Sequence, residues 1–160
     1  LTSALMRAVG PNGKVISFEI NPDLIHKASS NIKTINRDLS NLEIKLLDVY
    51  SDLNETFLDR IILDVPEPWR VLQNAAEALV PGGIFLSYLP TILQVHKLQE
   101  GLSQNLNFEL METIEVLIRP WSITQQSVRP EHRMIAHTGF ITTARKCVIK
   151  HPVKPIENDD

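Results

Sequence analysis

Three carboxylates stand where strand-like stretches end: Glu19, Asp48 and Asp64. In an open α/β sheet, ligands bind beyond the carboxyl ends of the strands, at the point where strand order reverses. A carboxylate placed there offers two acceptor oxygens, enough for both hydroxyls of a ribose. Glu19 suits that task, because Asn21-Pro22-Asp23 begins a helix directly behind it. Taken singly, each acid is read equally well as an exposed turn residue. Three at equivalent strand ends favour a binding site.

Asp64-Val65-Pro66-Glu67-Pro68-Trp69 is the sharpest local pattern. Two prolines one residue apart stiffen the chain as it leaves a buried strand. A rigid loop holding an acid and a tryptophan suits a planar substrate. The competing reading has Trp69 simply packed in the core.

The glycine fingerprint of dinucleotide folds is absent. Gly10 and Gly13 follow the first helix and do not open it. The glycine-rich loop and the central strand of the sheet are therefore expected upstream of Leu1, which is not a methionine. On that expectation these 160 residues alone bind a nucleotide cofactor weakly and are inactive. Five histidines (26, 96, 132, 137 and 151) show no zinc-type spacing, so no metal is expected. Cys147 is read as a small core residue of the last strand, not as a nucleophile.

The elements that must position these residues alternate. Leu1 to Val9 reads as a helix stopped by Gly10-Pro11-Asn12-Gly13, and Lys14 to Ile20 as a strand. Leu24, Ile25, Ala28, Ile32 and Ile35 recur at helical spacing as far as Asn36. Leu42–Val49 and Asp59–Val65 read as strands, and Glu67–Val80 as a helix ended by Pro81-Gly82-Gly83. Ile84–Leu89 reads as a strand and Thr91–Asn105 as a helix. Phe108–Trp121 and His137–Ile149 then read as a closing strand pair with a polar connection. This order predicts an α/β fold: a mostly parallel sheet, helices on both faces and an antiparallel edge. Residues 1–150 are expected to form one domain, and 151–160 a disordered tail.

A chain of 160 residues is long enough for a sizeable core. A single cysteine excludes an internal disulfide and favours a reducing compartment. No apolar run reaches the ~18–20 residues of a bilayer span, so a soluble, cytoplasmic protein is expected. The net charge of −3 hides an asymmetry. Residues 1–118 hold nine Lys/Arg against fifteen Asp/Glu, whereas residues 119–154 hold seven against Glu131 alone. On charge alone that basic segment is read first as a solvated, charged domain end and second as a phosphate-facing surface. Its Arg119, Trp121, Arg129 and Arg133 are read as a nucleic-acid contact or an oligomer surface.

These residues resemble the tRNA (adenine-N1)-methyltransferases, which make 1-methyladenosine in the T-loop. The resemblance rests on Val15-Ile16-Ser17-Phe18-Glu19, Leu47-Asp48-Val49 and Leu63 to Trp69, with Tyr88-Leu89-Pro90 and His137-Thr138-Gly139-Phe140. It covers nearly the whole chain, from the first helix to Lys146. It implies a Rossmann-like class I fold using S-adenosylmethionine, here without its first strand and glycine-rich loop. Glu19 is then expected to hold the cofactor ribose, and Asp48 the adenine amino group with Val49 beside the ring. Asp64 is expected between the methionyl end and the target base, and Tyr88 in the target-adenine pocket. The resemblance also implies a tRNA partner and a homotetramer. Two other readings stand beside it: a non-catalytic tRNA-binding partner subunit, and another nucleotide-dependent α/β enzyme.

Overall fold

A computed structural model of the chain describes residues 1–36, 38–134 and 137–148. Ile149, Lys150 and the expected tail lie outside the described residues. The chain gathers into two compact units, Leu1–Leu53 and Asn54–Asp160.

In the first unit, helix α1 (Thr2–Val9) leads to strand β1 (Val15–Glu19), helix α2 (Pro22–Ile35) and strand β2 (Leu42–Leu46). The helix start expected at residue 21 is found. The Asn21 side chain accepts the N–H of Asp23 at 3.0 Å, and Pro22 occupies the first turn, where its missing N–H costs nothing. β1 and β2 are parallel, in register from Val15–Leu42 to Glu19–Leu46. The amide of Asn41 donates to the carbonyls of Met6 and Gly10, each at 3.0 Å, and so fixes the turn that leaves α1. Met6 and Ile32 are the buried apolar residues of the two helices.

In the second unit, strand β3 (Leu58–Leu63) precedes a 3₁₀ turn at Pro68–Val71 and helix α3 (Leu72–Ala78). Strand β4 (Leu79–Leu89), helix α4 (Ile92–Gln104), strand β5 (Phe108–Glu115), strands β6 (Trp121–Ile123) and β7 (Val128–Pro130), and strand β8 (Phe140–Lys146) follow. The main sheet runs β3-β4-β8-β5. β3 and β4 are parallel, and β8 is antiparallel to both β4 and β5. The closing antiparallel edge read from the sequence is therefore present. Phe85, Leu89, Leu98 and Leu102 are fully buried between sheet and α4, and the rings of Phe85 and Phe108 pack 5.7 Å apart.

Two sequence expectations are corrected. The helix expected over 67–80 is cut at both ends. Pro68–Val71 form a 3₁₀ turn before the α-helix starts at Leu72, and Leu79 already pairs with Leu58 of β3. Pro81-Gly82-Gly83 therefore does not end the helix. It lies inside β4 at a register shift, where Gly82 takes a positive φ of 82° that a side chain disfavours. The strand expected over 108–121 ends at Glu115, and the polar connection contains a short hairpin, β6–β7. Its turn is closed by Thr124, whose N–H reaches the Ser127 carbonyl at 2.9 Å.

Candidate functional site

In the first unit, Glu19 and Asp48 occupy neighbouring strand ends. Glu19 ends β1, and its carbonyl accepts the N–H of Leu47 at 3.2 Å, which brings Asp48 alongside. Each carboxylate ties down its own turn. Glu19 Oε1 accepts the N–H of Asn21 at 2.9 Å, and Asp48 Oδ1 accepts the N–H of Tyr50 at 2.9 Å. Asp52 supports the second turn, receiving the Asp48 N–H at 3.1 Å. These bonds fix both side chains while using one oxygen of each. Among the described residues, Glu19 Oε2 has no hydrogen-bond partner and remains an acceptor for a ligand hydroxyl. The acceptor set fits a nucleoside: two half-buried carboxylates with the half-buried Val49 beside Asp48.

In the second unit, Asp64 and Tyr88 follow the paired residues Leu63 and Ser87 of β3 and β4. Both are exposed, whereas Leu63 and Ser87 beneath them are buried. The loop after Asp64 is stiff for reasons beyond its prolines. Gln94 of α4 donates to the Pro66 carbonyl at 3.0 Å, and Arg70 pairs with Glu67 at 3.0 Å. Trp69 packs on α4, with the Lys97 ammonium 4.3 Å from its ring centre. Of the two readings of Trp69, packing is the one its contacts support.

Opposite Tyr88 lies His137-Thr138-Gly139. The Tyr88 hydroxyl donates to the Thr138 carbonyl. His137 contacts Glu115 Oε1 through Nδ1 at 2.6 Å and the Pro90 carbonyl through Nε2 at 2.7 Å. The Glu115 carboxylate foremost, and the Pro90 carbonyl next, raise the His137 pKa above its ordinary value. Sequence reasoning picked out the 137–140 motif but missed Glu115 and Gln94. No local spacing connects those residues to their partners.

In the basic segment, Arg119 lies over the Trp121 ring at 5.9 Å, and Arg129 contacts His132. Trp121, Ile123 and Val128 are exposed on the hairpin. Cys147 is half-buried just beyond β8, not within it, and its thiol lies 3.2 Å from the Leu106 carbonyl. Lys150 and Lys154 lie outside the described residues. Among the described helices, none is long and apolar enough to cross a membrane.

Residues 1–151 match the family described as tRNA methyltransferase complex GCD14 subunit. A tRNA (adenine(57)-N(1)/adenine(58)-N(1))-methyltransferase TrmI from Methanocaldococcus jannaschii is 35% identical, over 100% of this chain and 64% of its own length. A tRNA (adenine(58)-N(1))-methyltransferase TrmI from Thermus thermophilus is 33% identical, over 91% of this chain and 57% of its own. Among solved structures, a SAM-dependent O-methyltransferase from Thermotoga maritima superposes with a TM-score of 0.83 at 34% identity, covering 91% of this chain and 54% of that one. The tRNA (m1A58) methyltransferase TrmI from Aquifex aeolicus gives 0.73 at 27%, covering 84% and 54%. The fold is the Rossmann-like α/β fold of class I S-adenosylmethionine-dependent methyltransferases. The chain spans between half and two thirds of the length of these relatives.

Proposed function

The chain belongs to the tRNA methyltransferase complex GCD14 subunit family, and from that premise we propose that it serves a tRNA adenine-N1 methyltransferase. Residues 1–150 are part of its catalytic domain, and the methylated base lies in the T-loop of tRNA. The observation that carries this reading is the pairing of Leu63 with Ser87, which sets an acid and a phenol side by side at one sheet end. The relatives named for adenine-N1 methylation supply the substrate class.

Glu19 would hold the ribose of S-adenosylmethionine through the carboxylate oxygen left over from its turn. Asp48 would accept from the cofactor's adenine amino group, with Val49 against the ring. When bound, the cofactor supplies an electrophilic methyl group on a sulfonium. Adenine N1 carries an in-plane lone pair, so no strong base is required of the protein. Asp64 serves instead as a fixed negative charge: it accepts from the exocyclic amino group, which orients N1, and it stabilises the positive charge that develops on the ring. Asp64 is assigned to both the cofactor and the catalytic set, and Tyr88 gives the flipped base a face to stack on.

Arg119, Trp121, Arg129 and Arg133 are assigned to tRNA phosphates and to contacts between copies. The exposed run Val116-Leu117-Ile118, continuing to Trp121 and Ile123, supports assembly as a homotetramer. A tRNA substrate and a lone cysteine fit the cytoplasm, and the mechanism calls on no metal. The presence of Glu19, Asp48 and Asp64 together favours the catalytic role over that of a non-catalytic partner subunit. The test is incubation of the whole protein with a tRNA transcript and methyl-labelled S-adenosylmethionine, followed by nucleoside mass spectrometry. Label in 1-methyladenosine from the T-loop is expected. Label on a hydroxyl oxygen, or none, overturns the reading.

A further inference from the structure

His137 sits at the start of a three-residue stretch that crosses the ends of β4 and β5 before entering β8. The Pro90 carbonyl can only accept a hydrogen bond, and so can the ionised carboxylate of Glu115. A neutral imidazole carries one N–H. Contacts of 2.6 Å and 2.7 Å at its two nitrogens are both hydrogen bonds only if the ring is an imidazolium. The ring also packs on Phe140, with centroids 5.0 Å apart. His137 thus ties the stretch to β5 through a side chain and to β4 through the backbone.

The next two residues hold Tyr88. The carbonyl of Thr138 takes its hydroxyl hydrogen, and Gly139 lies so close that a Cβ there would collide with the phenol ring. Tyr88 is 38% exposed at the end of β4, so this stretch supplies a side support that the sheet does not. Of the titratable groups facing His137, β5 contributes Glu115 and β4 contributes Tyr88, through Thr138. From β8 the neighbour is the apolar Phe140.

We propose that His137, donating at once to Glu115 and to the Pro90 carbonyl, is a positioning residue that fixes the Tyr88 ring for stacking on the target adenine. This rests on the assignment of Tyr88 to the adenine pocket made above. Loss of the proton leaves His137 with one donor for two acceptors. The stretch then loses an anchor, and Tyr88 loses its fixed orientation.

The test uses the whole protein with isotope-labelled histidine and tyrosine, followed by NMR across pH. His137 is expected to titrate above ordinary histidine, and in Glu115→Gln its midpoint should fall. The Tyr88 ring resonances should follow the same titration in both proteins. Single-turnover methylation is then measured at saturating tRNA and S-adenosylmethionine. His137→Ala should slow it about tenfold or more, as expected for a misplaced contact, with both binding constants within about twofold of wild type. Glu115→Gln should move the alkaline limb of the rate profile to lower pH, which covers the case in which His137→Ala fails to fold. Tyr88 resonances that ignore the His137 titration, or an unchanged rate in His137→Ala, overturn the proposal. A wild-type protein that methylates no tRNA overturns the methyltransferase reading instead, while a coupled His137–Tyr88 titration still upholds the clamp.

Discussion

Asp64 and Tyr88 stand one residue beyond Leu63 and Ser87, the last register partners of the parallel strands β3 and β4. Tyr88 is carried by β4 and Asp64 is the first residue after β3, so both are placed directly above a buried pair of the sheet. Groups held on a strand or directly at its end are placed more exactly than groups far out on loops, which suits the proposed reaction, in which one lone pair must be aimed. The same device recurs at the end of β1 and β2, where the Glu19 carbonyl fixes Leu47 and brings Asp48 alongside.

In the whole protein, Glu19→Ala should weaken S-adenosylmethionine binding. Loss of a charged acceptor costs about 1.5–3 kcal/mol, or roughly ten- to a hundredfold in affinity. The helix start should survive, because Asn21 caps it independently through Asp23. Calorimetry and a thermal melt on the same samples separate the two effects. Unchanged cofactor affinity would leave Glu19 as no more than the residue that holds the Asn21 turn.

Local chemistry made most of the elements legible. Asn21-Pro22 marked a helix start, Thr91 a second one, and apolar runs marked β1 to β4. Long-range pairing was not legible. Leu79 looks helical in sequence, yet Leu58 recruits it into β4. The β6 and β7 strands, of three residues each, are too short to show a period. The site divides in the same way: Glu19, Asp48 and Asp64 announced themselves by ending strands. Glu115 acquires its role only because β8 brings His137 to it across 22 residues.

Gly139→Ala should be costly out of proportion to one methyl group. Gly139 has φ of 155° and faces the Tyr88 ring, so an added Cβ must displace the phenol or the strand entry. Overpacking of this kind costs about 1–3 kcal/mol. Urea unfolding should show that loss, and Tyr88→Ala combined with Gly139→Ala should recover part of it, since the obstructing ring is gone. Purely additive losses would place the strain in the backbone instead of in the contact.

Stability should depend on pH through His137. Glu115 first and the Pro90 carbonyl second raise its folded-state pKa, so the folded protein holds this proton more tightly than the unfolded chain. Its stabilising contribution is complete below the unfolded value of 6.5 and is lost as pH rises through the raised folded value. The stability gap between wild type and His137→Gln should therefore narrow as pH increases through that window. Denaturant midpoints measured at a series of pH values give the gap directly. A gap that stays constant would mean that the imidazolium is not preferred in the folded state.

Asp64 gives the sharpest test of the chemistry. It is exposed beyond a buried strand end and followed by a loop held through Pro66, Glu67 and Trp69, so the fold does not lean on its carboxylate. In the whole protein, Asp64→Ala should keep the melting behaviour and tRNA affinity, because the phosphate contacts are assigned to the basic segment. Single-turnover methylation should fall about a hundredfold or more, the usual effect of removing one preorganised electrostatic group. Asp64→Asn is the decisive variant. Its amide oxygen can still accept from the exocyclic amino group, but it carries no charge to set against the cationic methylated ring. If charge is the larger effect, Asp64→Asn should recover little of the rate. If orientation is the larger effect, it should recover most of it, and Asp64 would then act by aiming N1 and not by stabilising the charge that forms there.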